Sequence, residues 1–310
     1  MKTTVIALGG NALIKPGQKG TIYEQFANTR EVVKSIARII REEIKVVLTH
    51  GNGPQVGAIL LQNNLARKLI PPMPLGICVA ESEGFIGYMI QQCLSNALNS
   101  IGIRKQVATI VTQVLVDKND SAFNNPTKPI GPYYTQREAK VLMKDGYSMR
   151  EFPRGWRIVV PSPDPKSIVE GEVIRKMIEN DIIVIAAGGG GLPVVEKENW
   201  GLDGVEAVVD KDLASERLAE AIKADTMIIL TNVENVYLNY NKPNQKALRE
   251  VSLDEIKNFY EKGYFPAGSM GPKILASIRF LENGGKKVVI SHVNYAWEAF
   301  KEEKGTIIER

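Results

Sequence analysis

The stretch from Lys45 to Gly57 reads KVVLTHGNGPQVG, and its order of residue types decides the fold class. An apolar, β-branched run stops at closely spaced glycines. Pro54 then marks a helix start, because proline suits a first helical position, where no N–H is needed. Val56, Ile59, Leu60 and Leu65 are expected on the buried face of that helix. Strand, glycine turn and helix in this order form the repeating unit of an α/β protein with parallel strands. The turn is neither common phosphate loop. GxGxxG would need its third glycine at position 56, one residue before Gly57, and GxxxxGK[ST] occurs nowhere in the chain.

The same unit recurs in both directions. TVIALGG (4–10) is a strand and turn, followed by a helix with Phe26, Val33, Ile36 and Ile40 on one face. VATIVTQVLV (107–116) reads as one strand, DIIVIAAGGGG (181–191) as a strand and turn, and DTMIILTNV (225–233) as a strand. KKVVISHV is expected to close the sheet. AGSMGPK (267–273) opens a helix with Pro272 near its first position and Gly284–Gly285 at its end. Continuous apolar strands between helices imply a mostly parallel sheet covered on both faces. Between Lys118 and about Arg157 the pattern breaks into a polar, proline-rich excursion, and IVVPSPDP is read as the return to the sheet. A flexible linker would not spend Phe123, Tyr133 and Tyr134. A second lobe is expected from about residue 205, giving lobes 1–204 and 205–310.

The 310 residues suffice for one large α/β domain or two lobes. A net charge of +4 without a dense basic block argues against nucleic-acid binding and suits small anions. No apolar run approaches the ~18 residues of a membrane span, and the N-terminus lacks signal-peptide character. Cys78 and Cys93, without CxxC spacing, read as reduced thiols of a cytoplasmic protein rather than a zinc site. Two histidines, His50 and His292, leave little material for imidazole chemistry.

Three glycine clusters end expected strands: Gly9–Gly10, Gly51 with Gly53, and Gly188 to Gly191. In a parallel sheet such turns gather at the carboxyl ends of the strands, where backbone N–H groups and helix dipoles favour an anion. Lys211 and Lys273 both sit at expected helix starts, where the dipole repels a cation. Two such placements point to a shared compensating anion. A lysine set of this kind suits phosphoryl transfer, which needs charge neutralisation and positioning. Lys128, within the excursion, is equally readable as a surface charge. Asp210 and Asp212 flank Lys211 and serve either as helix caps or, for Asp210, as an organiser of lysines. His50 is read as structural.

At these residues the chain resembles a known family. ALGGNAL (7–13), THGNGPQVG (49–57), NPTKPIGP (125–132), RGWRIVVPSPDP (154–165), IAAGGGGLPV (185–194), DKDLASERLA (210–219), ILTNV (229–233) and AGSMGPK (267–273) together resemble the carbamate kinases of the amino acid kinase family. The resemblance spans essentially the whole chain. It implies a three-layer αβα fold with a mostly parallel sheet, a small protruding subdomain over about 118–157, and a homodimer. It also implies phosphoryl transfer between ATP and carbamate, giving ADP and carbamoyl phosphate, with Mg²⁺ carried by the nucleotide.

Residue by residue, the resemblance assigns Lys128, Lys211 and Lys273 to the moving phosphoryl group and makes Asp210 their organiser. It places Gly9, Gly10, Asn11, Gly51, Asn52 and Gly53 around the acceptor. It places Ala214, Thr231, Asn232, Val233, Tyr237, Met270 and Gly271 in the nucleotide pocket. Glu83 stands where a glutamine is expected, Cys78 and Val79 lie near an expected aspartate, and Asn232 replaces a usual aspartate. Two other readings are an acylamino-acid or UMP kinase of the same fold, and a nucleotide-binding protein without turnover.

Overall fold

A computed structural model describes residues 1–266 and 268–310, and of residue 11 the backbone only. The chain opens with β1 (Thr3–Leu8), α1 (Ile22–Ile40), β2 (Lys45–His50), α2 (Gly53–Ala66) and α3 (Leu75–Ser100). β3 (Val107–Thr109) and β4 (Gln113–Val116) lead into the excursion, which holds β5 (Lys128–Tyr134), α4 (Gln136–Lys144), β6 (Met149–Phe152) and β7 (Gly155–Val160). Next come β8 (Pro165–Ile168), α5 (Gly171–Glu179), β9 (Ile183–Ile185), β10 (Leu192–Lys197) and β11 (Gly201–Gly204). α6 (Lys211–Ala221) and β12 (Thr226–Thr231) precede a hairpin of β13 (Val236–Leu238) and β14 (Lys246–Leu248). β15 (Glu250–Ser252), α7 (Leu253–Glu261), α8 (Met270–Glu282), β16 (Lys287–His292), α9 (Ala296–Phe300) and β17 (Thr306–Glu309) finish the chain.

Among the described residues the main sheet holds eight strands in the order β15–β17–β16–β12–β1–β2–β9–β3. β1 is central and parallel to both neighbours, with Val5 opposite Met227 and Val47. All six of its residues are buried. Alternate side chains serve opposite layers, as the period of two requires. Val5, Val47, Val184 and Met227 pack with Ala214, Leu218, Ile274 and Phe280 of α6 and α8. Ile6, Leu8, Leu48 and Ile228 pack with Val33, Ile36, Ile86 and Ile90 of α1 and α3. Each fully buried Ile, Leu or Val contributes about 1.5–3 kcal/mol, so these two layers carry the fold. The expected αβα class is the one observed.

Four local expectations are corrected. Residues 107–116 form two strands: β3 ends the main sheet, and β4 enters a second sheet ordered β11–β10–β4–β8. The break falls where Thr112 turns inward, its hydroxyl accepting the Ala187 N–H at 2.9 Å. IVVPSPDP does not return to the main sheet; β7 lies between β5 and β6 in the excursion, and the prolines that follow cannot donate to a ladder. KKVVISHV does not close the sheet either, because β17 lies outside it, antiparallel, and β15 beyond that. Leu65 is 75% exposed. α2 is covered by the excursion rather than by the sheet, and its buried Val56 packs with Ile130 and Ile158.

That last contact is unusually close. A Cβ at Gly57 would lie 2.0 Å from the Gly131 Cα, so the final glycine of HGNGPQVG exists to seat β5. Gly131 has φ +69°, a region that favours glycine. Gly57→Ala forces the two backbones apart. The substitution is expected to cost about 1–3 kcal/mol of stability by denaturant unfolding and to displace β5, which carries Lys128. An unchanged midpoint would show that the contact is dispensable.

Candidate active site

β1, β2, β9 and β12 run parallel, so the turns that follow them meet at one edge of the sheet. The Gly9 N–H is donated to the Leu230 carbonyl at 2.9 Å and the Gly51 N–H to the Leu8 carbonyl at 3.0 Å, which ties the first turn to β12 and the second to β1. The third turn, Gly188–Gly191, has φ of +67°, +100° and +74° at its last three residues. A Cβ on Gly189 would lie 2.1 Å from Asn52 Nδ2, so glycine is required here for both conformation and space. α2 begins at Gly53 and points its N-terminus into the same opening. Together these turns floor a cleft of about 560 Å³.

Six basic side chains line this cleft (Lys15, Lys128, Arg154, Arg157, Lys211 and Lys273) against two aspartates, Asp210 and Asp212. Lys211 is the first residue of α6, and Asp210 caps that helix by accepting the Asp212 N–H at 2.9 Å. Lys211 Nζ donates to Asp212 Oδ1 at 2.5 Å, and Lys273 Nζ, from the first turn of α8, donates to Asp212 Oδ2 at 2.7 Å. The shared anion that compensates two lysines at helix starts is therefore a residue of the chain. Lys128 reaches across from the excursion to Asp210 Oδ2 at 2.6 Å. Of the three lysines Asp210 holds one, and Asp212 organises the other two.

Charge states follow from this geometry. Burial works against ionising Asp212, but Lys211 and Lys273 outweigh it and hold its carboxyl well below the ordinary range. Asp210 is likewise lowered, burial being outweighed mainly by Lys128. Burial lowers Lys211, with Lys273 adding to the effect and Asp212 opposing it. For Lys273 burial is the largest influence, yet Asp212 and Asp210 together raise its pKa. The cluster is thus an ion triplet with a surplus of positive charge facing the cleft, which suits a phosphoryl group.

Behind the glycine turns lie His50 and Glu83, both fully buried. Burial takes His50 down to about 4, so the ring is neutral, and its Nδ1 lies 3.2 Å from the Gly51 carbonyl. Glu83 accepts the Gly188 N–H at 2.9 Å and the Thr112 N–H at 3.2 Å. It therefore braces the Gly188–Gly191 turn from behind.

The cleft brings together Gly9, Gly10, Gly51, Asn52, Gly53, Lys128, Asp210, Lys211, Lys273, Thr231 and Asn232. Asn11 lies outside the described side chains. Ala214, Val233, Tyr237, Met270 and Gly271 do not line it; Ala214 belongs to the core under α6, and Tyr237 stacks with Tyr240 at 5.8 Å between ring centres. Sequence reasoning missed Asp212 as an anchor, because an aspartate in a first helical turn reads as a cap. It also missed Lys15, Arg154 and Arg157. Arg154 and Arg157 both sit over the Tyr133 ring, at 4.8 and 5.3 Å. The RGWR spacing beside an aromatic excursion was the available signal.

A sequence profile described as the amino acid kinase family matches residues 2–292. This chain belongs to the amino acid kinase family. Within that family it is 54% identical to a carbamate kinase of Pyrococcus horikoshii, over 97% of each chain. It is 53% identical to a carbamate kinase of Thermococcus kodakarensis over the full length of both. Carbamate kinase from Giardia lamblia bound to AMP-PNP superposes with a TM-score of 0.92 at 47% identity, covering 99% of this chain and 98% of that one. The amino acid kinase fold expected from the sequence is shown by these likenesses.

Burial, aided by Glu170 and opposed by the Thr112 and Gly188 N–H groups, raises Glu83 from 4.5 to about 8. The fold thus prefers the protonated carboxyl, and this stabilisation is complete below pH 4.5 and lost as pH rises towards 8. Glu83→Gln removes the titration. Its stability relative to the parent is expected to rise between pH 5 and 8 by an amount on the order of 3 kcal/mol, then level off. A pH-independent difference in denaturant midpoints would refute this assignment.

Proposed function

We propose that this protein catalyses reversible phosphoryl transfer between ATP and carbamate, forming ADP and carbamoyl phosphate. The observation that carries the reading is the lysine cluster: two lysines fixed on Asp212 at helix starts, and a third delivered by the excursion over a cleft of glycine turns. The full-length likeness to carbamate kinases narrows the acceptor to carbamate.

Carbamate is an anion at neutral pH, so its oxygen attacks the γ-phosphorus without a general base. The new P–O bond forms as the bond to the bridging oxygen breaks, and that electron pair leaves on ADP. What the reaction asks of the protein is in-line positioning and charge neutralisation. The neutral, buried His50 takes no part. Lys211, Lys273 and Lys128 are the residues we assign to the transferred group, with Asp212 and Asp210 setting their spacing. Gly9, Gly10, Asn11, Gly51, Asn52 and Gly53 are assigned to the acceptor. Thr231 and Asn232 lead into a nucleotide site extended by Ala214, Val233, Tyr237, Met270 and Gly271. We assign residues 1–204 to the acceptor lobe and 205–310 to the nucleotide lobe.

Both cleft aspartates already accept lysine N–H groups, and among the described residues no three carboxylate, imidazole or thiol groups cluster as a metal site. A Mg²⁺ carried in on the nucleotide phosphates would need no carboxylate cluster from the protein and would neutralise phosphate oxygens. We further propose a homodimer in the cytoplasm. Exposed Leu65, Leu69, Ile70, Met73 and Ile77 concentrate apolar surface around the end of α2 and the start of α3, and no described helix is long and apolar enough to cross a membrane.

Purified protein with ADP, Mg²⁺ and carbamoyl phosphate is expected to form ATP. Absence of ATP, or preference for an acylamino acid or UMP as acceptor, would overturn the reading. Lys211→Ala is expected to lower kcat by roughly 100-fold or more, with ADP affinity by calorimetry changed only a few-fold. Turnover that survives the substitution would remove Lys211 from its role. Cys78 and Cys93 are both buried, and burial, with help from Glu81 and Glu206, pushes the Cys78 thiol up to about 11. Thiol reagents are therefore expected to leave the folded protein's mass and activity unchanged; rapid labelling would contradict this.

A further inference from the structure

The return limb of the excursion is a short stiff rod. Residues 161–165 read PSPDP, and three prolines with fixed φ leave it little freedom to bend. It begins beside the excursion's lysine, because Lys128 on β5 is the register partner of Val160, and Pro161 follows. The rod is then tied to residues beyond 205 at two points. The Pro161 carbonyl accepts the Val208 N–H at 3.0 Å, two residues before Asp210. Both Asp164 carboxylate oxygens accept from Arg279, each at 2.7 Å. Arg279 lies on α8, six residues after Lys273.

Asp164 also gathers the outgoing limb. Its N–H is donated to Asp120 Oδ2 at 2.9 Å, and Asp120 Oδ1 accepts the Ala122 N–H at 2.8 Å, capping the turn that leads towards Lys128. Both limbs of the excursion therefore meet at one aspartate, and that aspartate is bound bidentately to the helix that carries a second lysine of the cluster. Neither Asp164 nor Arg279 lines the cleft.

We propose that the Asp164–Arg279 pair is a positioning contact for phosphoryl transfer, fastening the root of the excursion to α8 so that Lys128 and Lys273 approach the transferred group as one frame. The proposal rests on the function assigned above. Asp164 is half exposed, so the pair adds little to global stability. The fork geometry nonetheless fixes orientation in a way that a single lysine contact would not. A helix and a proline rod transmit that orientation with little loss, whereas a glycine-rich hinge would absorb it.

The test compares Asp164→Asn and Arg279→Met with the parent, alone and combined with Lys128→Ala. Each single change is expected to lower kcat about 3- to 10-fold, with KM for ADP within about twofold and the melting temperature nearly unchanged. In the Lys128→Ala background the same change is expected to cause no further loss, because the contact acts through Lys128. The exchanged pair Asp164→Arg with Arg279→Asp is expected to recover part of the rate. Amide exchange over residues 124–134 of the ligand-free protein is expected to quicken in Asp164→Asn. Losses that multiply with Lys128→Ala, or exchange that does not change, would overturn the proposal. The exchange readout needs no turnover, so it decides the contact even if the parent forms no ATP from carbamoyl phosphate.

Discussion

The structure turns on one buried carboxylate. Asp212 accepts from Lys211 and Lys273 at once, and each lysine comes from a helix start where the dipole alone would repel it. Removing three charges from water costs several kcal/mol per ion, and the fold recovers this only through close geometry and additional hydrogen bonds. Those bonds are present. Asp210 caps the helix that bears Lys211 and Asp212, and Ser215 on the same helix shares a 2.6 Å hydrogen bond with Thr49 of β2. Any displacement of α6 or α8 would leave a buried charge unpaired. The triplet therefore dictates the spacing of the two helices, and the sheet beneath has to present them at that spacing.

The excursion solves a different problem. A phosphoryl group in flight needs positive charge on several sides, but a parallel sheet offers residues from one edge only. The insertion between β4 and β8 brings Lys128, Arg154 and Arg157 over the opening. It rests on α2 through a contact between two bare glycines. Beside those glycines Val56 packs with Ile130 and Ile158, so apolar packing seats the excursion on α2 while ionic contacts hold its lysine over the cleft.

Much of this was legible in the sequence because strand, turn and helix each leave a local mark. The apolar period of β1 and β2, Pro54 at a helix start and Gly284 after α8 are decisions made within a few residues. The split between β3 and β4 was not legible, since Ile110 and Val111 continue an apolar run across the break. What ends the strand is the inward-turned Thr112, a tertiary fact. β17 was missed for a related reason: TIIE is short, and it runs antiparallel to its neighbour. In the site, glycines and lysines announced themselves by their settings. Asp212 did not, because a capping aspartate and an anchoring one look identical until the second helix arrives. Arg157 pointed inward for reasons held by Tyr133, which lies more than twenty positions earlier in the chain.

The charge of the cleft governs how ligands arrive. Its lining carries six basic groups against two acidic ones, and the whole chain carries a net charge of +4. The remainder of the molecule is thus close to neutral. At the opposite edge of the sheet, Lys286, Lys287 and Lys301 are spent on Asp225, Glu302, Glu309 and Glu42. The molecule's excess positive charge is thus concentrated at the mouth of the site. An anion diffusing nearby is drawn towards the glycine turns, and a phosphorylated ligand is turned charge-first before it touches the surface. Salt screens such guidance beyond about 10 Å at 0.1 M, so steering acts only over the last stretch of approach and fades as salt rises, while the buried lysines act at contact.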